Sequence, residues 1–246
     1  MRIMTIRILV NGASGKMGQE CVKAIQNDSE LQLVGQTARN DDLAQIIKTT
    51  HAQVVVDFTV PQAAYSNVLT IIQSGAHPVI GTTGITPEQI TELKQQCASK
   101  KLGAIIAPNF SIGAVLMMQF SQTAAKFFPN VEIIELHHAG KADSPSGTAL
   151  KTADLIAETR SSVPEVKASR EIIPGARGAS SHNIPIHAIR LPGLVACQEV
   201  LFGGLGETLS IRHDTIHREA FMPGVLLACK KVLQLDHLVY GLEHIL

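Results

Sequence analysis

The sequence lacks both an excess of charge of one sign and any long apolar run. Its 246 residues contain 21 lysines and arginines against 21 aspartates and glutamates, so the formal net charge is zero. Non-specific nucleic-acid binding depends on an excess of cationic side chains, and this balance argues against a nucleic-acid partner. No apolar run approaches the ~18 residues of a membrane span, so we expect no membrane insertion.

Paired cysteines are also absent. The four cysteines, Cys21, Cys97, Cys197 and Cys229, form no C-x-x-C pair, which disfavours zinc and redox motifs. Cys21 and Cys229 share helical faces with apolar residues and are expected to be reduced core residues. The short apolar run at the N-terminus is broken by Arg7 and leads into a glycine turn rather than a cleavage site. We therefore predict a cytoplasmic protein.

The first hundred residues alternate between short apolar runs and helical segments. Runs of Val and Ile with little polar alternation are typical of strands buried on both faces. The predicted strands are Ile6–Val10, Leu31–Val34, Val54–Phe58, Pro78–Ile80 and Ala104–Ala107, and the crossover helices are Lys16–Gln26, Gln62–Gln73 and Pro87–Lys100. This alternation predicts an α/β fold with a Rossmann-like, doubly wound parallel sheet.

The pattern changes after Asn109. Several later strand-like segments follow one another without long helical crossovers, which predicts a second α+β domain with a mixed or antiparallel sheet. The expected elements are a helix from Ser111 to about Phe127, a strand at Val131–His137, a helix near 148–159, strands at Ile184–Leu191, Cys197–Phe202 and Glu207–His213, and a last helix at about Glu219–Leu233. The stretch Ser161–Asn183, rich in Ser, Gly and Arg, is predicted to be a long loop.

A glycine-rich turn follows the first predicted strand and opens the first helix. Gly12, Gly15 and Gly18 have G-x-x-G-x-x-G spacing, which permits a tight turn and close approach of the backbone to a pyrophosphate. The helix N-terminus adds amide donors and the positive end of the helix dipole. Because the turn lies within a βαβ unit, we favour dinucleotide binding over a glycine turn without a ligand.

The end of the second strand bears on the choice of cofactor. Many dinucleotide folds carry a carboxylate there that binds the ribose hydroxyls. Here Ala38 and Arg39 stand at that place, and the first carboxylate is Asp41. Arg39, with Lys16 as a second candidate, is placed to meet a 2′-phosphate; the alternative is an ordinary solvated arginine. We expect NADPH as the cofactor and leave NADH use open.

The segment HHAGKADSPSGTAL, residues 137–150, places two histidines, a lysine and a helix start close together. His137 and His138 end a strand and should point to opposite faces, so one metal ion cannot readily reach both. The segment also lacks the G-x-S-x-G elbow of a serine hydrolase. We therefore expect neither a metal site nor a nucleophilic serine here.

The same segment suits recognition of a small anion. Ser146 is a plausible N-cap, and the amides of Gly147 and Thr148 would then form an anion site. Lys141 adds a positive charge, and a histidine can donate a proton near neutral pH. This cluster favours a small carboxylate substrate that must be protonated; the alternative is a capped helix beside two packing histidines.

Together these segments resemble the 4-hydroxy-tetrahydrodipicolinate reductase family, also called dihydrodipicolinate reductases, of lysine and diaminopimelate biosynthesis. The matching segments, which span nearly the whole chain in order, are GASGKMG, DFT, GTTG, APNFSIG and ELHHAGKADSPSGTA. The resemblance implies NAD(P)H-dependent reduction of a cyclic imine dicarboxylate. A different two-domain amino-acid dehydrogenase would lack the last segment, and a non-catalytic nicotinamide sensor would not need His137 and Lys141.

The resemblance also implies residue roles. It assigns the cofactor pyrophosphate to Gly12, Ala13, Ser14, Gly15, Lys16 and Met17, and the surroundings of the nicotinamide to Gly81, Thr82, Thr83, Ala107, Pro108, Asn109 and Phe110. It assigns acid/base function to His137, proton donation or substrate clamping to Lys141, and carboxylate binding to His138, Gly147 and Thr148.

The family organisation implies a dinucleotide-binding domain at 1–108, completed by a C-terminal helix within 219–246. Residues 109–218 would form a substrate-binding and oligomerisation domain, and such enzymes are typically homotetramers. This chain departs from the pattern at Ala38, where some members have an acidic residue, and along 190–199. In that segment Cys197 stands near a position where a polar residue is common, which bears on subunit packing.

Overall fold

The structure, a computed structural model, describes residues 5–160 and 170–246. The chain divides into two compact units, one formed by Met1–Ile112 with Arg218–Leu246 and the other by Gly113–His217. Among the described residues, no helix combines the length and the apolar character that crossing a membrane requires.

In the first unit, strands and helices mostly alternate along the chain. The strands are β1 (Ile6–Asn11), β2 (Leu31–Thr37), β3 (Val54–Asp57), β4 (His77–Ile80), β5 (Ala104–Ile106), β6 (Asn130–His137), β7 (Ala179–Ser181), β8 (Ile184–Arg190), β9 (Ala196–Gly204), β10 (Glu207–Thr215) and β11 (Leu238–Tyr240). The α-helices are α1 (Lys16–Asn27), α2 (Leu43–Thr50), α3 (Pro61–Gln73), α4 (Pro87–Lys100), α5 (Ile112–Ala124), α6 (Gly147–Thr159) and α7 (Met222–Lys231).

The first unit is built on a six-stranded parallel sheet with the order β11-β5-β4-β3-β1-β2. β3 and β5 are buried along their whole length, and Val54, Val55 and Val56 of β3 are completely inaccessible to solvent. Such strands need apolar side chains on both faces, which explains their unbroken Val and Ile runs. The predicted Rossmann-like sheet is confirmed.

The second unit contains a five-stranded mixed sheet with the order β10-β9-β6-β8-β7. β6 and β8 are parallel, and the other neighbouring pairs are antiparallel. α6 contributes Ala149, Ala153 and Ile156 to a core shared with Val131 and Ile133 of β6. The odd-numbered residues of β6 therefore face this core, and the predicted mixed sheet is confirmed.

Short elements account for most differences from the sequence predictions. α2, β7 and β11 were not predicted: each is at most eight residues long, and the two strands have three residues each. β11 is held by its parallel pairing with β5, a long-range contact that a local pattern does not reveal. β7 lies inside the stretch predicted as one long loop, of which residues 161–169 are outside the described residues.

Two predicted helices end or divide differently in the structure. α5 ends at Ala124 rather than near Phe127, because Phe128 precedes Pro129 and the residue before proline disfavours helical geometry. The predicted last helix is divided into a 3₁₀ turn at Arg218–Phe221, the α-helix α7 and a second 3₁₀ turn at Val232–Gln234. Pro223, in the first turn of α7, has no amide hydrogen to continue the preceding turn.

All four cysteines are free and buried, as predicted for Cys21 and Cys229. Burial raises the pKa of the Cys21 thiol to about 12 and that of Cys97 to about 11. The pKa of Cys197 is raised to about 11, mainly by burial and further by Asp214. These thiols are protonated and unreactive at neutral pH in the folded chain.

The core under α6 yields a stability prediction. Ile156 is completely buried in that core, so Ile156→Ala should lower the free energy of unfolding by about 2–5 kcal/mol through lost burial and the cavity left behind. Leu150→Ala, on the same helix at a position 40% exposed, is the matched control and should change it by about 0.5 kcal/mol or less. Urea unfolding followed by circular dichroism measures both; equal losses would contradict the packing described.

Candidate active site

The carboxyl ends of β1 and β3 mark the point where the strand order of the first sheet reverses. From β1 the chain continues to β2 on one side, whereas β3, β4 and β5 follow on the other. Open α/β sheets bind ligands at this point, because the loops that leave the neighbouring strands diverge there. The glycine turn after β1 lies at this position.

The three glycines of that turn answer different requirements. Gly12 has a φ of +80°, and a Cβ on it would lie 2.6 Å from the carbonyl oxygen of Phe58. A Cβ on Gly18 would lie 2.1 Å from the carbonyl oxygen of Gly12, so α1 packs directly on the turn. A Cβ on Gly15 would meet nothing closer than 3.3 Å. Packing inside the protein thus demands Gly12 and Gly18 more strictly than Gly15.

A cavity of about 570 Å³ opens over this turn, within the first unit. Among the predicted cofactor residues, Gly12, Ser14, Gly15 and Arg39 line it. Asp41 lies in the same wall, where its carboxylate accepts a 2.7 Å hydrogen bond from the amide of Ala38. The other predicted cofactor residues are not part of this lining: Ala13, Lys16, Met17, Gly81, Thr82, Thr83, Ala107, Pro108, Asn109 and Phe110.

A buried carboxylate ties together the strand ends beside the cavity. Asp57, at the end of β3, is completely buried. It accepts hydrogen bonds from the side-chain amides of Asn11 at 2.7 Å and Asn67 at 2.9 Å, from the hydroxyls of Thr59 at 2.8 Å and Thr82 at 2.6 Å, and from the Thr59 amide at 3.0 Å. One side chain therefore fixes the ends of β1, β3 and β4 and the middle of α3.

This network engages one predicted cofactor residue through its side chain. The Thr82 hydroxyl donates to Asp57 and accepts from the Thr59 amide at 2.9 Å. Because that hydroxyl is engaged within the network, a direct contact of Thr82 with a cofactor would have to be made by its backbone. The role of Asp57 was not predicted, because the DFT segment entered only as part of the resemblance.

Phe58 brings two of the predicted nicotinamide segments together. Its ring meets that of Phe110 edge to face, with ring centroids 6.1 Å apart. A Cβ on Gly81 would lie 2.1 Å from Cε1 of the same ring, so Gly81 is required by this contact. The loops after β3, β4 and β5 thus share one aromatic side chain, although Gly81 and Phe110 lie outside the cavity lining.

In the second unit, His137 ends β6 on the face that α6 covers. Val131, Ile133 and Glu135 occupy the same face and are buried. His137 pairs in register with Arg190 on the parallel strand β8. Because side chains alternate along a strand, Glu135 lies on the same face as His137. The register with β8 brings Arg190 beside them.

These three side chains form one hydrogen-bonded group. Oε2 of Glu135 lies 2.6 Å from Nδ1 of His137 and accepts from Nη1 of Arg190 at 2.7 Å. Oε1 accepts from Nη2 of Arg190 at 2.8 Å and from the Ser146 amide at 3.0 Å. Arg190 also donates to the carbonyl oxygen of Asp143 at 2.7 Å. A completely buried carboxylate is thereby matched by a bidentate guanidinium, the arrangement that suits it best.

The electrostatics of the group favour a neutral imidazole beside a charged carboxylate. Burial acts to raise the pKa of Glu135, but hydrogen bonds from Arg190 and His137 outweigh it, and the pKa lies below its ordinary value. Burial also dominates at His137 and lowers its pKa; Lys141 and Arg190 act in the same direction, while Glu135 opposes them. His137 is therefore mostly neutral at pH 7 and can exchange a proton.

Lys141, His138 and the start of α6 complete the predicted set in the second unit. Nζ of Lys141 donates to both carboxylate oxygens of Asp143, at 2.6 and 2.8 Å. His138 is exposed, unlike His137. Ser146 caps α6 as predicted, accepting from the Ala149 amide at 3.2 Å. A Cβ on Gly147 would meet nothing within 4 Å, so the backbone at the N-terminus of α6 is open.

Glu135 and Arg190 are functional candidates that the sequence analysis did not identify. The spacing of Glu135 and His137, two residues apart on one predicted strand, was an available signal for a shared face. Arg190 lies 55 residues from Glu135 in the sequence, and only the parallel pairing of β6 and β8 unites them. Arg190 lies within the predicted strand Ile184–Leu191 and begins the segment 190–199 that departs from the family pattern, but no role was predicted for it.

Family models of the dihydrodipicolinate reductases match both parts of this chain. The model described as dihydrodipicolinate reductase, N-terminus, matches residues 6–110. The model described as dihydrodipicolinate reductase, C-terminus, matches residues 113–246. Together the two matches extend over nearly all of the sequence.

Curated relatives share the full length of the chain. A 4-hydroxy-tetrahydrodipicolinate reductase of Coxiella burnetii (strain Dugway 5J108-111) is 57% identical over 243 residues, covering 99% of this chain and 100% of the relative. The protein of the same name from Legionella pneumophila (strain Paris) is 54% identical over the same shares.

Solved structures agree with these relatives. The dipicolinate-bound dihydrodipicolinate reductase from Paenisporosarcina sp. TG-14 is 43% identical, with a TM-score of 0.91 over 99% of this chain and 100% of that one. A diaminopimelate dehydrogenase of C. glutamicum, in complex with DAP, is only 10% identical with a TM-score of 0.58 over 98% and 94%, and shares the fold alone.

The Asp57 network generates a prediction for the first unit. Asp57→Asn replaces an acceptor-only group by one with two donors that face existing donors, so the free energy of unfolding should fall by about 1–3 kcal/mol. Asp42→Asn is the matched control, since asparagine caps helices as well as aspartate and Asp42 caps α2. Urea unfolding of both variants measures the difference. An Asp57→Asn midpoint equal to that of the control would show that the network does not hold the strand ends.

Proposed function

This chain belongs to the dihydrodipicolinate reductase family, and on that premise we propose which of its residues carry the chemistry. It is an oxidoreductase that reduces 4-hydroxy-tetrahydrodipicolinate to tetrahydrodipicolinate with a reduced pyridine nucleotide, on the route to diaminopimelate and lysine. Its substrate is a small compound related to the cyclic dicarboxylates. The proposal concerns the roles of individual residues, the preferred cofactor and the assembly.

The second unit supplies the proton chemistry, and the observation that carries this assignment is the pairing of His137 with buried Glu135. Loss of water from the 4-hydroxy substrate precedes or accompanies reduction. When bound, a reduced nicotinamide would supply a hydride to C4 of the unsaturated cyclic imine. An enamine-like anion then develops in the ring and takes up one proton. His137, with its lowered pKa, serves as the acid/base residue for that transfer.

Lys141 and the start of α6 bind the negative charges of the substrate. The ion pair of Lys141 with Asp143 involves a carboxylate that is 61% exposed, and such pairs contribute only about 0–1 kcal/mol. Lys141 can therefore exchange Asp143 for a substrate carboxylate, or donate a proton, at little cost. The space beside Gly147 is open, and the amides of Gly147 and Thr148 at the start of α6 would bind a second carboxylate with help from exposed His138.

The first unit binds the cofactor at the cavity over the glycine turn. Gly12, Ser14 and Gly15 line it and would face the pyrophosphate, with Ala13, Lys16 and Met17 alongside. The segments at 81–83 and 107–110 would surround the nicotinamide. Arg39 lines the cavity and would pair with a 2′-phosphate, so NADPH should bind at least as well as NADH.

We further propose that the protein acts in the cytoplasm and assembles as a homotetramer through the predicted oligomerisation domain, residues 109–218. The four free thiols support a reducing compartment. Sedimentation velocity at micromolar concentration measures the assembly directly.

The neighbouring histidines provide the test of the proton chemistry. General acid–base help contributes roughly 10²–10⁴-fold, so His137→Gln should reduce kcat by about that factor while cofactor affinity stays near that of the unaltered protein. His138→Gln is the matched variant and should mainly raise KM, because His138 is assigned to carboxylate binding. Oxidation of NADPH followed at 340 nm with freshly generated substrate measures both. A larger loss of kcat in the His138 variant would overturn the assignment.

The cofactor assignment is tested separately by binding. Arg39→Ala removes a charge-assisted hydrogen bond of about 1.5–3 kcal/mol, so the Kd for NADPH should rise about 10- to 100-fold while the Kd for NADH stays nearly constant. Lys48→Ala, which removes an exposed cation from α2 outside the cavity lining, controls for the change in net charge. Calorimetric titrations give the four constants. Equal weakening of both cofactors by Arg39→Ala would show that Arg39 does not read the 2′-phosphate.

A further inference from the structure

Glu135 is arranged to act on one particular ring nitrogen of His137. Oε2 lies 2.6 Å from Nδ1, and this carboxylate remains charged because four hydrogen bonds reach its two oxygens. A charged carboxylate has no proton to donate, so Nδ1 carries the hydrogen of this bond. The neutral ring is then the Nδ1–H tautomer, and Nε2 is the nitrogen left to exchange a proton.

Arg190 limits how strongly Glu135 attracts a proton to that ring. Its guanidinium contacts both carboxylate oxygens, at 2.7 and 2.8 Å, and is itself only 19% exposed. The charged groups that face His137 are Glu135 from β6, Arg190 from β8 and Lys141 from the turn after β6, and Asp143 balances Lys141. With Arg190 in place, the carboxylate orients the imidazole without holding it permanently as an imidazolium.

We propose that Glu135 and Arg190 are positioning residues for the proton transfer, Glu135 by fixing the His137 tautomer and Arg190 by balancing the carboxylate charge. This inference rests on the proposed acid/base role of His137. In the transfer, the Nε2–H bond of the imidazolium breaks and a C–H bond forms at the carbanionic carbon of the enamine. The ring returns to the neutral Nδ1–H tautomer. The electron pair of the new bond comes from the π system of the substrate ring, displaced when the hydride pair forms the C–H bond at C4.

The two residues should shift the titration of His137 in opposite directions. Glu135→Gln removes the anion that favours the imidazolium, so the titration midpoint of His137 should fall and the Nε2–H tautomer should appear. Arg190→Met removes a cation that disfavours the imidazolium, so the midpoint should rise. Arg190→Lys keeps the charge without the bidentate geometry and should leave the midpoint near that of the unaltered protein. If Glu135→Gln and Arg190→Met only disturbed packing, the titration midpoint of His137 would have no reason to move in opposite directions.

Nitrogen-15 NMR of the histidine rings in the full-length, ligand-free protein reads the tautomer and the midpoint without any turnover. The pH profile of kcat/KM provides the second readout, and its limb that reports His137 should move with the NMR midpoint in each variant. Glu135→Gln should lower kcat by about 10- to 100-fold, less than the ~10²–10⁴-fold for losing the acid/base group itself. Its KM should stay nearly unchanged.

A matched control lies on the opposite face of the same strand. Glu132 of β6 also bonds a histidine, His187 at 2.7 Å, and an arginine, Arg177. Glu132→Gln therefore removes a carboxylate with the same kinds of partners, although Glu132 is 34% exposed and Glu135 is completely buried, and it should leave kcat, its pH profile and the His137 resonances unchanged. Circular dichroism melting of every variant identifies any that fails to fold, and Arg190→Gln, which also removes the cation but can still donate a hydrogen bond, replaces Arg190→Met if the latter does.

The outcomes separate this inference from the proposed function. If Glu135→Gln folds and shifts neither the tautomer nor the midpoint of His137, the positioning role is wrong even where His137→Gln abolishes turnover. Parallel shifts in Glu135→Gln and Arg190→Met would overturn the opposed roles. If His137→Gln retains full kcat, the acid/base proposal fails, while the NMR result still decides whether Glu135 sets the tautomer.

Discussion

A carboxylate buried at the end of a strand has to be saturated with donors, and this constraint organises both units. Leaving a charged group in an apolar interior without partners costs several kcal/mol, so the surrounding segments must converge on it. Asp57 is met by donors from neighbouring strand ends and a helix. Glu135 is met by an adjacent strand, a histidine and the start of α6.

The two carboxylates differ in whether a hydrogen-bond partner can still take part in proton transfer. The partners of Asp57 are neutral amides and hydroxyls, and the result is a fixed edge below an open cavity. The partners of Glu135 include a cation and an imidazole, so the charge is balanced within the group and the imidazole keeps one nitrogen for exchange. In the first unit, saturating the carboxylate with hydrogen bonds fixes the strand ends below the cavity. In the second unit, it leaves an imidazole that can exchange a proton.

The sequence predicted those features whose signal is carried by a few consecutive residues. Unbroken Val and Ile runs reveal strands such as β3 because both faces are buried, and the spacing of Gly12 and Gly18 reveals the turn because each glycine avoids a specific backbone clash. Ser146 was identified as a cap from the residues that follow it. In each case the signal lies within a few consecutive residues, even where, as at Gly12, the clash that is avoided is with a distant segment.

What the sequence did not predict depends on pairing between distant segments. β11 exists through its register with β5, and the contact of Arg190 with Glu135 exists through the parallel register of β6 and β8. A single sequence contains no direct record of such pairings. The spacing of Glu135 and His137 fits a shared face, but it contains no sign that a guanidinium 55 residues away completes the group.

The buried cysteines can report local opening of the folded chain. Cys21, Cys97 and Cys229 belong to the first unit and Cys197 to the second, and each is hidden from solvent. A thiol-labelling reagent can reach them only when the surrounding structure opens, so the labelling rate at each position measures the opening free energy there. Mass spectrometry of the labelled peptides would therefore follow the two units separately within one unaltered molecule, without an added probe.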